Sequence, residues 1–192
     1  MQLETMTSPS ASSSAGSSAG SSDGITDPGG STDQYLTFML GEEEFGVDIL
    51  RVQEIKGWEK ATAIPNTPEY IRGVMNLRGT VVPIIDLRCR FELSSAEYTA
   101  TTVIIVLKVE GEHSTRTMGF VVDAVSEVYN VSAENLQPAP DFGTRVNTQF
   151  LRGLAVVEEK MIILLDFDRL ISLDSVFSAV EAFENQSPSD PS

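Results

Sequence analysis

Cysteine and histidine are nearly missing from this 192-residue chain, which holds one of each, Cys89 and His113. A disulfide within the chain is thereby excluded, and so is a zinc site built from several Cys or His ligands. Basic residues are scarce as well: 13 Lys and Arg stand against 28 Asp and Glu, a formal net charge of −15. Such a field repels phosphate backbones and anionic lipid headgroups, which argues against nucleic-acid and membrane-surface binding. Long apolar runs are absent too. The longest, Val103–Leu107 and Met161–Leu165, are five residues each, far short of the roughly 20 that span a bilayer. The N-terminus lacks the basic-then-apolar pattern of a secretory signal. What is present is 41% aliphatic, aromatic and sulfur residues, enough for a core. The chain reads as a soluble, acidic, cytoplasmic protein.

Residues 1–34 differ from the rest. They hold ten Ser and five Gly and no Lys or Arg, too little apolar surface to offset the entropy of ordering, and read as a disordered arm. Glu184–Ser192 reads the same way. From Tyr35 to about residue 174 the chain becomes short apolar runs separated by turn signals, the pattern of small barrels or a sandwich. Tyr35–Leu40 and Phe45–Leu50 flank a turn at Gly41–Glu44. Val74–Leu77 and Thr80–Leu87 flank Arg78-Gly79, with Pro83 marking an edge or a bulge. Thr101–Val109 and Met118–Val122 follow, and Leu154–Val157 with Lys160–Phe167 form a last hairpin. Pro68–Arg72 suggests one helical turn capped by Thr67. Phe167, Leu170, Leu173, Phe177, Val180 and Phe183 fall at helical spacing, an amphipathic helix that packs on the body and whose end, with the tail, makes up 175–192.

A weak duplication runs through the body. Residues 46–55 align without gaps on 119–128, superposing Gly46 on Gly119, Val52 on Val125 and Glu54 on Glu127. Residues 71–87 align on 151–167, superposing Arg72, Gly73 and Asp86 on Arg152, Gly153 and Asp166. Two similar β units of about 70 residues would each be marginal alone, so they should share an extensive interface. The copies differ at one turn, Arg78-Gly79 in the first and Glu158-Glu159 in the second. A requirement of the fold would appear in both. Arg78 is therefore either a solvated turn arginine or a residue whose role belongs to one half.

Catalytic patterns are missing. His113 lies in a polar turn with no nucleophile or orienting partner nearby in sequence. Cys89, between Arg88 and Arg90, reads as small core filler rather than a reactive thiol. There is no phosphate-binding glycine loop and no Gly-x-Ser-x-Gly elbow. Glu42–Glu44 lacks the spacing of a cation loop. No enzyme, cofactor or metal is indicated. An enzyme using an assembled carboxylate pair and a β protein taking a small ligand are the competing classes.

The blocks 40–55, 65–79, 82–88 and 119–125 closely resemble the CheW-like family of bacterial chemotaxis coupling proteins, and the resemblance runs in order from about Tyr35 to Leu173. It implies an all-β fold of two intertwined five-stranded SH3-like barrels. It implies a non-catalytic adaptor joining the cytoplasmic tip of chemoreceptors (methyl-accepting chemotaxis proteins) to the regulatory domain of the histidine kinase CheA, in arrays at the membrane. The few residues after the body leave no room for a receiver or kinase domain, so the expectation is the stand-alone adaptor. Carried over by position, the receptor groove between the barrels implies Val52, Glu54, Ile55, Gly73, Arg78 and Gly79, with Gly119 and Val125 from the second half. Apolar side chains would bury part of a receptor helix, and glycines would allow close approach. Core packing is the competing reading for Val52, Ile55 and Val125. An ion pair between Glu54 and Arg78 would shape the groove. The kinase-facing surface is placed only by region, at an apolar barrel end, with no residues assigned.

Overall fold

In the computed structural model, the described residues are 32–93, 97–111, 114–139 and 148–172. Residues 1–31 of the arm, His113 and everything after Ser172 lie outside them, including Leu173, Phe177, Val180 and Phe183 of the expected helix. Among the described residues eleven strands form two sheets. The first half supplies β1 (Thr32–Leu40), β2 (Glu43–Asp48), β3 (Val52–Gly57), β4 (Ile71–Leu77) and β5 (Thr80–Asp86). The second supplies β6 (Val103–Glu110), β7 (Thr115–Val122), β8 (Ala124–Ser132), β9 (Leu136–Gln137), β10 (Leu151–Val157) and β11 (Lys160–Leu165). Short helices follow the second hairpin of each half: α1 (Leu87–Arg90) and α2 (Phe167–Ser172).

The halves exchange strands. One sheet runs β8-β1-β2-β11-β10-β9 and the other β3-β6-β7-β5-β4. Replacing each strand by its repeat partner turns the first five strands of one order into the other, so the duplication is also a pseudo-twofold of the fold. At its centre lie the two parallel pairings, Leu164 opposite Gly46 and Ile84 opposite Gly119. These are equivalent positions, and they explain the shared glycines. A Cβ on Gly46 would come within 2.8 Å of Leu164 Cδ2, and one on Gly119 within 2.6 Å of Ile84 Cδ1. Gly73 and Gly153 are likewise paired by the plan. Gly73 has φ +128° and lies directly under the Thr62 carbonyl, while a Cβ on Gly153 would sit 2.7 Å from the Gln137 carbonyl oxygen. In both units an incoming segment crosses the first strand of the hairpin, through the Thr62–Val74 bridge in one and through β9 in the other.

Among the described residues three apolar clusters result. Tyr35, Tyr129, Val131, Ala155, Ile162 and Leu164 fill the β1 barrel, and Ala61, Val82, Ile84, Ile104, Val106 and Val121 fill the β6 barrel. The largest cluster lies between them and draws on both halves, with Phe38, Phe45, Leu107, Phe120, Phe150 and Phe167 among its members. Strand β6 faces two interiors at once, Ile104 and Val106 on one side and Ile105 and Leu107 on the other. That is why Val103–Leu107 is continuously apolar and does not alternate.

Several local expectations change. The first strand begins at Thr32, three residues before the expected onset, because Gln34 donates to Asn130 and Asp33 lies 3.9 Å from Arg152. Pro83 sits in an interior strand, tolerated because the ladder to β7 starts only at Ile84. Pro68–Tyr70 is a single turn closed by Ile71 N–H on the Pro68 carbonyl, and the Thr67 hydroxyl bonds back to Ile64 instead of capping. The run Phe45–Leu50 divides at a 3₁₀ turn, Ile49–Arg51, which Asp48 caps and which separates β2 from β3.

Candidate functional site: a divided cleft on one barrel

Strand β3 pairs with β6, and its register slips between Val52 and Glu54, so Gln53 is the extra residue of a bulge. Glu54 and Ile55 follow on the open edge of the sheet. Facing them is the turn of the β4–β5 hairpin, where Arg78 (φ +54°) and Gly79 (φ +88°) both occupy the left-handed region, as a two-residue hairpin turn demands. The Asn76 carboxamide accepts the Gly79 N–H at 2.8 Å and holds the turn. Arg78 reaches back from it, and its Nη2 donates to Glu54 Oε2 at 2.6 Å. The ion pair expected from the sequence is formed. It is an outward-facing pair: the Arg78 side chain is 87% exposed, leaving its other N–H donors open.

The pair divides a cleft. On one side a cavity of about 300 Å³ is lined by Glu54, Ile55, Lys56, Asn76, Leu77 and Arg78. On the other, one of about 250 Å³ is lined by Gln53, Thr80, Val82, Val106 and Thr117 together with Glu54, Leu77 and Arg78. Ile55 is 45% exposed at the first. Lys56 is paired with Glu59 at 3.2 Å.

The eight residues assigned from the sequence do not gather in one groove between the barrels. Glu54, Ile55 and Arg78 meet at this cleft, Gly79 follows Arg78 in the turn without lining it, and the cleft belongs to the β6 barrel alone. Val52 and Val125 pack against the central cluster from opposite barrels. Gly73 lies beneath the Thr62 carbonyl, and Gly119 is buried against Ile84 and Ile104. Sequence reasoning did not find Gln53, Asn76, Leu77, Thr80 or Thr117. Gln53, Leu77 and Thr80 adjoin residues that it named and Asn76 lies two residues from Arg78, but Thr117 comes from β7 and only the fold brings it there.

At the other end of β5 from the cleft, a charged network fastens the barrels. Asp86, buried at the start of α1, accepts from Arg88 N–H, Nε and Nη2 at 3.0–3.1 Å and from the Tyr98 hydroxyl at 2.9 Å. Burial alone would raise its pKa; the bonds from Arg88 and Tyr98 outweigh that and hold it below the usual value. Tyr98 is pushed up to about 12 by burial and by the Asp86 carboxylate. Arg88 Nη1 continues to Asp123 at 3.0 Å, and Asp123 also accepts Gly41 N–H. In the other unit the same join is made with the charges exchanged. Asp168, at the repeat position of Arg88, accepts from Arg51 and from Glu110 N–H, each at 2.7 Å. Cys89 is partly buried, and burial and Asp86 raise its thiol pKa, the reverse of what a nucleophile needs. Among the described residues no cluster of His, Cys, Asp and Glu could hold a metal ion, and no helix is long and apolar enough to cross a membrane.

The family model of the CheW-like domain matches residues 34–175, the whole of this two-barrel body. The chain belongs to the CheW-like family. It is 46% identical over 143 residues to the chemotaxis protein CheW of Klebsiella aerogenes, covering 74% of this chain and 84% of that protein. It is 42% identical to the probable chemotaxis protein CheW of Rhizobium etli, covering 72% and 87%. The crystal structure of the scaffolding protein TtCheW from Thermoanaerobacter tengcongensis superposes with a TM-score of 0.66 at 35% identity, covering 73% of this chain and 92% of that one. The CheW-like fold thus accounts for the exchanged strands and for the doubled glycines. The Glu54–Arg78 bridge is not part of that doubling, since the repeat positions are Glu127 and Glu158.

Proposed function

We propose that this chain is a non-catalytic chemotaxis adaptor that joins the cytoplasmic tip of chemoreceptors to the regulatory domain of the histidine kinase CheA, and that the divided cleft is its receptor surface. The observation that carries the site is its asymmetry. The two barrels follow one plan, yet the β6 barrel has a basic turn where the other has Glu158-Glu159, and that turn's arginine pairs with Glu54 across a cleft beside the open strand edge. Ile55 and Leu77 offer apolar contact, and the open Arg78 donors offer charge-assisted bonds to a carboxylate or carbonyl on a partner helix. The groove residues are Glu54, Ile55 and Arg78 at the cleft, with Gly79 in the adjoining turn and Val52, Gly73, Gly119 and Val125 supporting the cleft through the barrel and the central core. Such an adaptor sits in the cytoplasm and reaches the membrane through the receptors. Modest affinities suffice there, because an array supplies many sites at high effective concentration.

Co-sedimentation with a receptor cytoplasmic fragment and CheA, with kinase autophosphorylation followed in the same tube, tests the proposal. Receptor-dependent kinase activation should require this protein and should weaken with Arg78→Ala while the fold survives. A folded protein that binds neither partner, across several receptors, sinks the reading.

A further inference from the structure

The 250 Å³ cavity on the far side of the Glu54–Arg78 bridge opens into the interior of the β6 barrel. Its floor is Leu77, Val82 and Val106, and the two valines are members of that barrel's core. Its rim is polar: Gln53, Thr80 and Thr117. Among the described residues these three side chains have no hydrogen-bond partner, so amide and hydroxyl groups stand unused around an apolar floor.

The other barrel shows what the same place looks like when it is closed. Repeat positions put Lys160 where Thr80 stands, Thr37 where Val106 stands and Glu44 where Thr117 stands. Lys160 Nζ donates to the Tyr129 hydroxyl at 2.8 Å, laying its side chain across to β8. The buried Thr37 hydroxyl donates to the Glu127 carbonyl at 3.0 Å and accepts the Glu127 N–H at 3.2 Å, which ties the bulge shut. Both ties are absent from the β6 barrel, whose counterparts are a short threonine and a valine. The Lys160 and Thr37 ties are thus features of one barrel, as Arg78 is of the other.

We infer that this barrel mouth is a second subsite of the receptor surface: it takes one aliphatic side chain of the partner helix, while Gln53, Thr80 and Thr117 bond polar groups on the same helix. The inference rests on the receptor reading above. An apolar floor with a polar rim fits a knob flanked by hydrogen-bonding groups, and the bridge fixes its position, with Ile55 on one side of Arg78 and the mouth on the other. The mouth can be filled while both Glu54 and Arg78 are kept in the sequence.

The test uses the full chain and a soluble chemoreceptor cytoplasmic fragment, with Kd measured by calorimetry. Thr117→Trp fills the mouth from β7, and Thr80→Lys places the second barrel's residue at an exposed turn position that the fold tolerates. Each should weaken binding at least about tenfold, the loss of one buried aliphatic contact, with thermal unfolding of Thr80→Lys unchanged. Wild-type binding accompanied by Thr80→Lys and any folded Thr117→Trp within about twofold of it would overturn the subsite and leave the receptor reading standing. No binding by wild type would remove the receptor reading and the subsite with it.

Discussion

Arg78 and Glu54 meet at 2.6 Å with the arginine largely in solvent and the carboxylate partly buried, and a pair so screened on one side adds only about 0–1 kcal/mol to folding. The pair is therefore better understood as presenting a surface than as holding the fold. Glu54→Ala and Arg78→Ala should each leave thermal unfolding nearly unchanged. Receptor affinity is a different matter, because the two side chains set each other's position. The double variant should bind better than the sum of the single losses implies, with a coupling of roughly 0.5–3 kcal/mol in a double-mutant cycle. Strict additivity would mean that the pair does not act as a unit. At this scale the sequence was readable where the repeat breaks, since Arg78-Gly79 against Glu158-Glu159 stands out by comparison. It was not readable for Gly73 and Gly119. A glycine chosen for close approach to a ligand and one chosen for a backbone crossing look the same in sequence, and only the Thr62 carbonyl and the Ile84 side chain tell them apart.

At the scale of elements, α1 and α2 are short helices, and side-chain charges attach each to the opposite unit. Asp86 shows the energetics. Its carboxylate is buried with Arg88, and removing it strips the guanidinium of two bonds and leaves Asp123 as the remaining counter-charge, so Asp86→Ala should destabilise by up to about 3–5 kcal/mol. The pH dependence has a definite sign. The native pKa of Asp86 is depressed, so the unfolded state binds the more protons on acidification. Its contribution is complete above the unfolded carboxyl value of about 3.9 and is lost as pH falls through the lower native value. Urea melts at pH 7 and pH 3 should therefore show the gap between wild type and Asp86→Asn narrowing at the lower pH. A constant gap would place the effect in packing rather than charge. The sequence aligned Asp86 with Asp166 but gave no hint of these partners, because Arg51 with Asp168 and Arg88 with Asp123 lie far apart in the chain and exchange their charges between the units.

For the whole molecule, the duplication suggests two small domains, and the structure denies them independence. Each sheet needs strands from both halves: β1 and β2 complete the sheet of β8, β10 and β11, while β6 and β7 complete that of β3, β4 and β5. The large central cluster likewise takes residues from both. The expectation of a shared interface is met in a stronger form than contact, since neither half can close a barrel alone. Hairpin order and Arg-Gly spacing made the two-unit plan legible, but the exchange was carried only by the family resemblance, because local patterns do not record which distant strand lies alongside. Cutting the chain between Leu93 and Glu97 tests it. Each fragment alone should lack the β-sheet circular dichroism and the near-ultraviolet signal of Trp58 stacked on Tyr98, whose ring centroids lie 4.1 Å apart. Mixing the fragments should restore both, since Trp58 belongs to one piece and Tyr98 to the other. The intact chain should unfold in one transition with matching calorimetric and van't Hoff enthalpies. Two separated transitions, or a fragment that folds by itself, would show that each repeat closes its own barrel.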